Sequence, residues 1–299
     1  MPALLHLGRR PPQRRPHRSL QGLPPGQTAD IRVGRAGGLP ELPPDLPWPA
    51  GLRGPLPFVA SFDCATLPKV DGLALPPDGT LLIFLDHESA YDTCDRDEEQ
   101  QYARIVHVPA GTDSVVTDPP DDAPERPSHT QRTFVGPESD LFAIVHAAVP
   151  HWLNNDEDRE YENGLSDFQA RVARTLPHRK ELCTLTGELW PDGSSPAFQF
   201  SGYSGDIGEM ATDHLFTTPE LTIAEENLKA WHEDGESGLS PEQEDLLLEE
   251  ELQQVEKAWI PLVQFTPGDD VYRGRFLIRQ ENLAARRFDR AVSWTAFTE

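Results

Sequence analysis

The residues best suited to chemistry in this 299-residue chain are concentrated in one acidic stretch, residues 86–99. His87 stands there among seven carboxylates: Asp86, Glu88, Asp92, Asp95, Asp97, Glu98 and Glu99. Carboxylate oxygens are the ligands that hard cations such as Ca²⁺ prefer, but the alternating Asp pattern with a central Gly that defines an EF-hand is absent. A solvated acidic loop is therefore the favoured interpretation and a cation site the alternative. We assign no metal and no cofactor.

A second candidate for chemistry is the hydroxyl of Ser204, which lies in the sequence GYSGD at 202–206. This sequence approaches the G-x-S-x-G nucleophile elbow, but it has an aspartate at the position of the second glycine. The HExxH, P-loop and GxGxxG motifs are absent. His146 and His151 are five residues apart, which is poor spacing for one metal-binding face. The favoured interpretation is a tight turn that presents Tyr203, and whether the protein is an enzyme stays open.

The charge of the chain restricts its partners. It contains 26 basic and 50 acidic residues, a net charge of −24. Five arginines fall within the first 18 residues, so the rest carries 21 basic against 50 acidic residues, a charge of −29. Such a body repels phosphate backbones, and we therefore expect no nucleic-acid partner. A cationic protein, a polyamine or a metal ion fits better, and the alternative is that the acidity only maintains solubility.

The cysteines and the hydropathy indicate the compartment. Cys64, Cys94 and Cys183 are far apart, odd in number and without a CxxC pair, which argues against a zinc ribbon or a disulfide scaffold. No stretch approaches the roughly 18 apolar residues that a membrane span needs. We expect a cytoplasmic protein with reduced thiols and no membrane association. Residues 1–29, rich in Arg and Pro, are predicted to be a disordered tail.

The elements that must position these residues follow from apolar patterning. Strands are predicted at 55–63, 79–86, 101–108, 259–265, 274–279 and 291–297. Helices are predicted from 139 to before 150, and at 168–176, 241–257 and 281–289. The helix at 241–257 has the clearest signal, because Ser240, Pro241 and Gln243 match an N-cap, a first-turn proline and a capping box. The irregular mixture indicates an α+β fold with mixed or antiparallel sheets and flanking helices.

An internal similarity predicts how these elements are grouped. We expect residues 30–299 to form a single domain of two related lobes, about 30–135 and 136–299. In each lobe an apolar strand is followed by glycine and a second apolar strand, so that GTLLI at 79–83 aligns with GRFLI at 274–278. Chance is the alternative explanation, because hairpins are common. A true repeat would make the strands of both lobes share one surface.

The segment GGLPELPPDLPWP at 37–49 cannot be a helix or a central strand, because each proline fixes φ and biases its predecessor to extended geometry. It is predicted to lie as a stiff strap of polyproline type. A strap without regular hydrogen bonds must be held by side chains, and Trp48 is the natural anchor. The favoured role of Trp48 is a structural clamp, and the alternative is one wall of a binding groove.

Several segments, in order, resemble those of the YwqG-like proteins, a bacterial family of unknown function (DUF1963). The similar segments are 37–49, 58–63, 75–86, 200–207, 259–264 and 274–288. Together they span about residues 37 to 290, nearly all of the globular part. Ser204 stands where the family pattern has Pro, and Asn282 stands where it has Asp.

The resemblance implies a link to protein partners, since members of this family are similar to components of toxin-linked gene neighbourhoods. With the acidity, this leads us to expect a non-catalytic binding protein, immunity- or antitoxin-like, that captures a basic protein partner. The alternative is a small-ligand-binding protein or enzyme that uses a cleft between the two lobes. Candidate ligand-binding residues at the predicted strand ends are Trp48, Asp63, Asp86, Tyr203, Asp206 and Gln264.

Overall fold

The computed structural model describes residues 3–9, 31–93, 96–120, 138–147, 149–150, 153, 167–188, 197–204, 218–234, 240–265 and 272–297. Its strands are β1 (Ala3–Arg9), β2 (Arg32–Ala36), β3 (Glu41–Leu42), β4 (Ala50–Gly51), β5 (Gly54–Pro55), β6 (Phe58–Asp63), β7 (Thr80–Leu85), β8 (Ala103–Val108), β9 (Val115–Val116), β10 (Ser139–Ala147), β11 (Phe198–Phe200), β12 (Trp259–Phe265), β13 (Tyr272–Arg279), β14 (Val292–Ser293) and β15 (Ala296–Phe297). The α-helices are α1 (His87–Asp92), α2 (Arg96–Glu99), α3 (Asp167–Thr175), α4 (Arg179–Glu188), α5 (Pro219–Asp234), α6 (Pro241–Ala258) and α7 (Gln280–Ala284). Short 3₁₀ helices follow at Gln100–Tyr102 and Phe288–Arg290.

One antiparallel sheet dominates the fold, which confirms the predicted α+β class. The order of its main path is β14-β13-β12-β11-β1-β10-β2-β6-β7-β8, and β15 pairs with β13. The central pair β1–β10 is flanked by β2, β6, β7 and β8 on one side and by β11, β12, β13 and β14 on the other. We call these flanks the N-terminal half and the C-terminal half. Each half contains a long hairpin in the same place, β6–β7 in one and β12–β13 in the other.

The two hairpins share an irregularity that supports the internal repeat. The register shifts between Phe58 and Ala60 in β6 and between Pro261 and Val263 in β12, as a β-bulge requires. Superimposing the bulges matches the pair Phe62–Leu81 with the pair Phe265–Gly274. This register differs by two residues from the one that aligns Gly79 with Gly274, so the sequence alignment and the bulge alignment of the two hairpins do not coincide.

The sheet curls until its halves share one core. The ring centroid of Phe62 in β6 lies 5.3 Å from that of Phe198 and 4.9 Å from that of Phe200, both in β11. Three strands lie between β6 and β11 in the sheet. In a flat sheet, β6 and β11 would therefore be about 19 Å apart. Phe198 in turn contacts Phe265, and Phe265 stacks on Phe276. An aromatic row therefore continues from one half into the other.

Hydrogen bonds also join the far edges of the curled sheet. The side chain of Gln100 donates to the carbonyl of Ser293 at 3.1 Å and accepts from its amide at 2.6 Å. The Glu99 carboxylate accepts from the Ser293 hydroxyl at 3.2 Å and from the Thr295 amide at 2.7 Å. The Arg96 guanidinium lies 3.6 Å from the ring centroid of Trp294. We call this set of contacts the edge clasp.

Two sequence predictions are corrected in the centre of the sheet. Residues 3–9, predicted as part of a disordered tail, form β1, which pairs with β10 and β11. The region from 139 to before 150, predicted as a helix, forms β10 over 139–147. In β10 Leu141 and Ala143 are buried while Phe142 and Ile144 are half-buried. A strand covered on both faces is a continuous apolar run, which periodicity cannot distinguish from a buried helix.

The other predicted elements are confirmed with small shifts of their boundaries. The capping box at the start of α6 is present, with the Ser240 hydroxyl and the Gln243 side chain each accepting from the other residue's backbone amide. The predicted helix at 281–289 is divided into α7 and the 3₁₀ helix Phe288–Arg290. The last predicted strand, 291–297, is two short strands, β14 and β15. In the part of the chain that the structure describes, no helix is long and apolar enough to span a membrane.

Candidate functional site

The proline-rich strap lies on the outer face of the N-terminal half. The Trp48 indole packs edge-on against Phe84 with ring centroids 5.7 Å apart, and its Nε1 donates to the carbonyl of Leu56 at 2.9 Å. Leu42 and Leu56, both buried, join Trp48 in covering the outer face of β7. These contacts favour the clamp over the groove wall for Trp48.

Replacing Trp48 with phenylalanine is expected to lower the free energy of unfolding by about 1–2 kcal/mol, because the Leu56 carbonyl loses its donor. The aromatic contact with Phe84 is largely retained, so the cost is mainly that of the hydrogen bond. Urea denaturation followed by circular dichroism measures it. An unchanged midpoint would show that the indole N–H does not hold the strap.

Asp63 and Asp86 do not converge, although both follow predicted strands. Asp63 pairs with Thr80 at the start of β7, and Asp86 follows the end of that strand, so about 20 Å of strand separates them. The exposed Asp63 carboxylate accepts from the Ala65 amide at 3.0 Å and shapes the turn after β6. The buried Asp86 carboxylate caps α1 and accepts from the Ser89 hydroxyl at 2.9 Å. Their contacts shape local backbone, and within the described ranges no group of three or more metal-ligating side chains is found.

Tyr203 and Gln264, two of the candidate ligand-binding residues, lie in contact. Gln264 in β12 donates through Nε2 to the carbonyl of Tyr203 at 3.0 Å. A tight turn precedes Tyr203, because Ser201 and Gly202 both have positive φ, 63° and 90°, while residues 205–206 of the predicted turn at 202–206 lie outside the described residues. The turn is fixed to β12 by a bond of 2.9 Å from the Ser201 amide to the Pro261 carbonyl. Asp206, the remaining predicted site residue, lies outside the described residues.

Two carboxylates that the sequence did not single out complete this site. The Ser204 hydroxyl donates a short hydrogen bond to Glu220, which is 6% exposed in the first turn of α5. Glu256, near the end of α6, approaches the same place. Burial, and then the charge of Glu220, raise the pKa of Glu256. We call Tyr203, Ser204, Glu220, Glu256 and Gln264 the Tyr203 cluster.

The electrostatics of the Tyr203 cluster follow from its two like charges. Burial, followed by the charge of Glu256, raises the pKa of Tyr203, so the phenol stays protonated. Glu256 keeps a large exposed surface, although protein atoms crowd its carboxylate. Water therefore weakens the repulsion between the carboxylates. Among the described side chains, no cation forms an ion pair with Glu220 or Glu256. The arrangement suits retention of a proton by Glu256 or binding of an organic cation.

Replacing Glu220 with glutamine is expected to lower the pKa of Glu256 toward the ordinary value of a glutamic acid. The amide removes the neighbouring charge, which is the second cause of the raised pKa, and leaves the burial. Titration of the side-chain carboxyl carbon by NMR measures the change. The same pKa in both proteins would mean that the two carboxylates do not interact.

The Tyr203 cluster lies beside a row of polar side chains on three strands of the C-terminal half. Gln199, Gln264 and Arg275 stand opposite one another on β11, β12 and β13, and their neighbours Phe198, Phe265 and Phe276 belong to the core. In the N-terminal half, the corresponding outer face is apolar and covered by the strap. The two long hairpins therefore share a bulge but present different side chains on their outer faces.

A second candidate surface is formed by α5 and α6, which pack as an antiparallel pair that we call the acidic hairpin. The Asn227 side chain donates to Glu251 at 2.7 Å across the pair, and Glu226 forms an ion pair with Arg96 at 2.8 Å. The two helices contain twelve acidic residues against two lysines. Among the exposed carboxylates are Glu225, Glu226, Glu242, Glu244, Asp245 and Glu250. The hairpin therefore displays negative charge on the exposed side of two packed helices.

The family of the protein can be assigned from its sequence. The model of a domain of unknown function, DUF1963, matches residues 34–296. The chain belongs to the DUF1963 family. The DUF1963 match covers both halves of the sheet, the Tyr203 cluster and the acidic hairpin, while β1, at the centre of the sheet, precedes it. A comparison with curated proteins found no match.

Proposed function

We propose that this DUF1963 protein is a non-catalytic binding protein that captures a basic protein partner on its acidic hairpin. The observation that supports this most directly is the excess of twelve acidic residues over two lysines on these two helices, with many of the carboxylates exposed. Negative charge on an exposed surface accelerates encounter with a cationic protein and disfavours acidic competitors. In the cell, the protein would act as an immunity- or antitoxin-like protein that binds this partner.

The cytoplasm is the proposed compartment. Cys64 is buried with a free thiol whose pKa burial raises to about 12, and Cys183 is also free. A thiol of such high pKa is a poor nucleophile and does not exchange readily with disulfides. Both features are compatible with a reducing environment.

The test compares affinity capture from the native host by the wild-type chain and by a variant with Glu242→Gln, Asp245→Asn and Glu250→Gln. We expect a stoichiometric basic partner at low salt, identified by mass spectrometry, that is lost at high salt because screening removes charge attraction. The variant should recover it at least tenfold less, since three surface charges steer and hold the partner. A control with Glu41→Gln, Asp45→Asn and Asp71→Asn makes the same charge change on exposed residues of the N-terminal half and should behave as wild type. Equal recovery by the two variants, or no partner, would contradict the proposal.

A second candidate function is the binding or conversion of a small cationic ligand at the Tyr203 cluster. The observation that favours it is the approach of Glu220 and Glu256 beside Ser204 and Tyr203. Spermidine is the probe, because its ammonium groups match paired carboxylates. We expect it to raise the thermal midpoint of the wild-type protein more than that of Glu220→Gln. Equal shifts of the thermal midpoint in both proteins would show that spermidine binds the acidic surface in general and not the Tyr203 cluster.

A further inference from the structure

Two apolar side chains of the acidic hairpin are exposed to water. Trp231 in α5 is 56% exposed, and Leu246 in α6 is 62% exposed. In contrast, Ala224 and Val255 of the same helices are buried. A large apolar side chain among charges is a candidate anchor for a partner, because tryptophan is enriched among the residues that contribute most to binding.

The register of the hairpin places these two side chains at the same level. The bond between Asn227 and Glu251 fixes which turns of the antiparallel helices face each other. One turn beyond Asn227 is Trp231, and one turn before Glu251 is Leu247, so that Trp231 lies beside the turn that contains Leu246. This level is remote from Glu220 and Glu256, which mark the other end of the hairpin. We call the surface around Trp231 and Leu246 the hairpin tip.

Leu246 is surrounded by carboxylates on its own helix face. Glu242, Glu249 and Glu250 are placed four residues before, three after and four after it, and side chains at these spacings are neighbours on a helix surface. Glu242 and Glu250 are exposed, and Glu249 is 3.7 Å from Arg171 of α3. An apolar side chain ringed by negative charge is the complement of an apolar side chain ringed by positive charge.

We propose that the hairpin tip binds a basic amphipathic helix of the partner, with an apolar side chain against Leu246 and an arginine over the Trp231 ring. This inference rests on the proposed function and identifies the surface that contacts the partner. Lysines and arginines one turn from the apolar side chain would face Glu242 and Glu250, and a guanidinium stacks favourably on an indole. The charge of −24 disfavours a second copy of this chain as the occupant. Nucleic acids and anionic membranes are repelled for the same reason.

The experiment uses two synthetic peptides of identical composition. In the first, a helical peptide of alanine, arginine and leucine carries arginines one turn before and after each leucine. In the second, the same residues are scrambled so that no such face forms. Binding of each fluorescent peptide to the full chain is measured by anisotropy. We expect the patterned peptide to bind about tenfold more tightly, because apolar anchors and aligned charges act together.

The variants separate this inference from the proposed function. Trp231→Ser with Leu246→Ser should abolish the tenfold preference while leaving the affinity for the scrambled peptide unchanged. Leu185→Ser, at an exposed position of α4, is the matched control and should preserve the preference. Equal affinities for both peptides, or a preference that survives the tip variant, would overturn the inference. If both peptides bound equally but more weakly to the variant with Glu242→Gln, Asp245→Asn and Glu250→Gln, the proposed function would still hold and only the inference would fail. No salt-dependent binding of either peptide would overturn both.

Discussion

Replacing Phe62 with alanine is expected to lower the free energy of unfolding by about 3–5 kcal/mol, the usual cost of removing a buried phenylalanine ring. Phe62 is fully buried, and its ring contacts Phe198 and Phe200 across the curl of the sheet. The substitution leaves a cavity where the two halves meet, which neighbouring rings fill only partly. Urea denaturation, followed by circular dichroism and by tryptophan fluorescence, measures the loss.

The same substitution at Phe58 is the matched control. Phe58 belongs to the same strand but lies half-buried on the outer face, where it contacts Phe84 of its own half. We expect Phe58→Ala to cost less than Phe62→Ala. The wild-type protein should unfold in one transition, because one core joins both halves. Equal costs for the two variants would contradict the view that the Phe62 contacts connect the halves.

Local signals explain which parts of the fold the sequence could predict. The strands of the two long hairpins are short apolar runs bounded by Pro, Gly and Asp. The start of α6 is encoded within four residues by Ser240, Pro241 and Gln243. Each of these signals depends on neighbours in sequence, so a single chain is enough to read it.

The central pair of the sheet could not be predicted in this way. β1 is joined to the rest by pairing with β10, more than 130 residues later, and with β11. Its apolar run, ALLHL at 3–7, is short, and the Arg- and Pro-rich residues that follow it led to the prediction of a disordered tail. β10 is a strand because β1 and β2 pair with its two edges. Both errors have one cause: these residues form strands because of partners that are remote in sequence.

The residues of the candidate site also differ in whether local sequence could predict them. Tyr203 was singled out by its place in the GYSGD sequence and Gln264 by its place near the end of a predicted strand, and the structure joins them by a hydrogen bond. The same reasoning failed for Asp63 and Asp86, because it does not say at which end of the sheet a strand stops. Glu220 was not found, since only the packing of α5 onto the turn after β11 brings it to Ser204.

The stability of this protein is expected to fall as pH rises from about 4.5 to above 7 because of Glu99 in the edge clasp. Burial raises the pKa of Glu99 to about 7, although the amide of Thr295, the hydroxyl of Ser293 and the charge of Arg96 oppose the shift. The folded state therefore binds this proton more tightly than the unfolded chain does. Its contribution is complete below the unfolded pKa, near 4.5, and is lost as pH passes through the folded value.

Replacing Glu99 with glutamine isolates this effect. The amide oxygen still accepts from Thr295 and Ser293 but carries no charge to desolvate. At pH 8 the variant should exceed the wild type by about 2–3 kcal/mol in free energy of unfolding, while at pH 4.5 the two should be close. Urea denaturation of both proteins at half-unit steps of pH measures this difference in stability. Groups that titrate equally in both proteins do not contribute to the difference. Asp92→Asn, at an exposed carboxylate of α1, removes the same charge and should leave the wild-type pH dependence unchanged. Parallel pH profiles for Glu99→Gln and the wild type would show that Glu99 is ionised in the clasp throughout this range, and that its hydrogen bonds outweigh its burial.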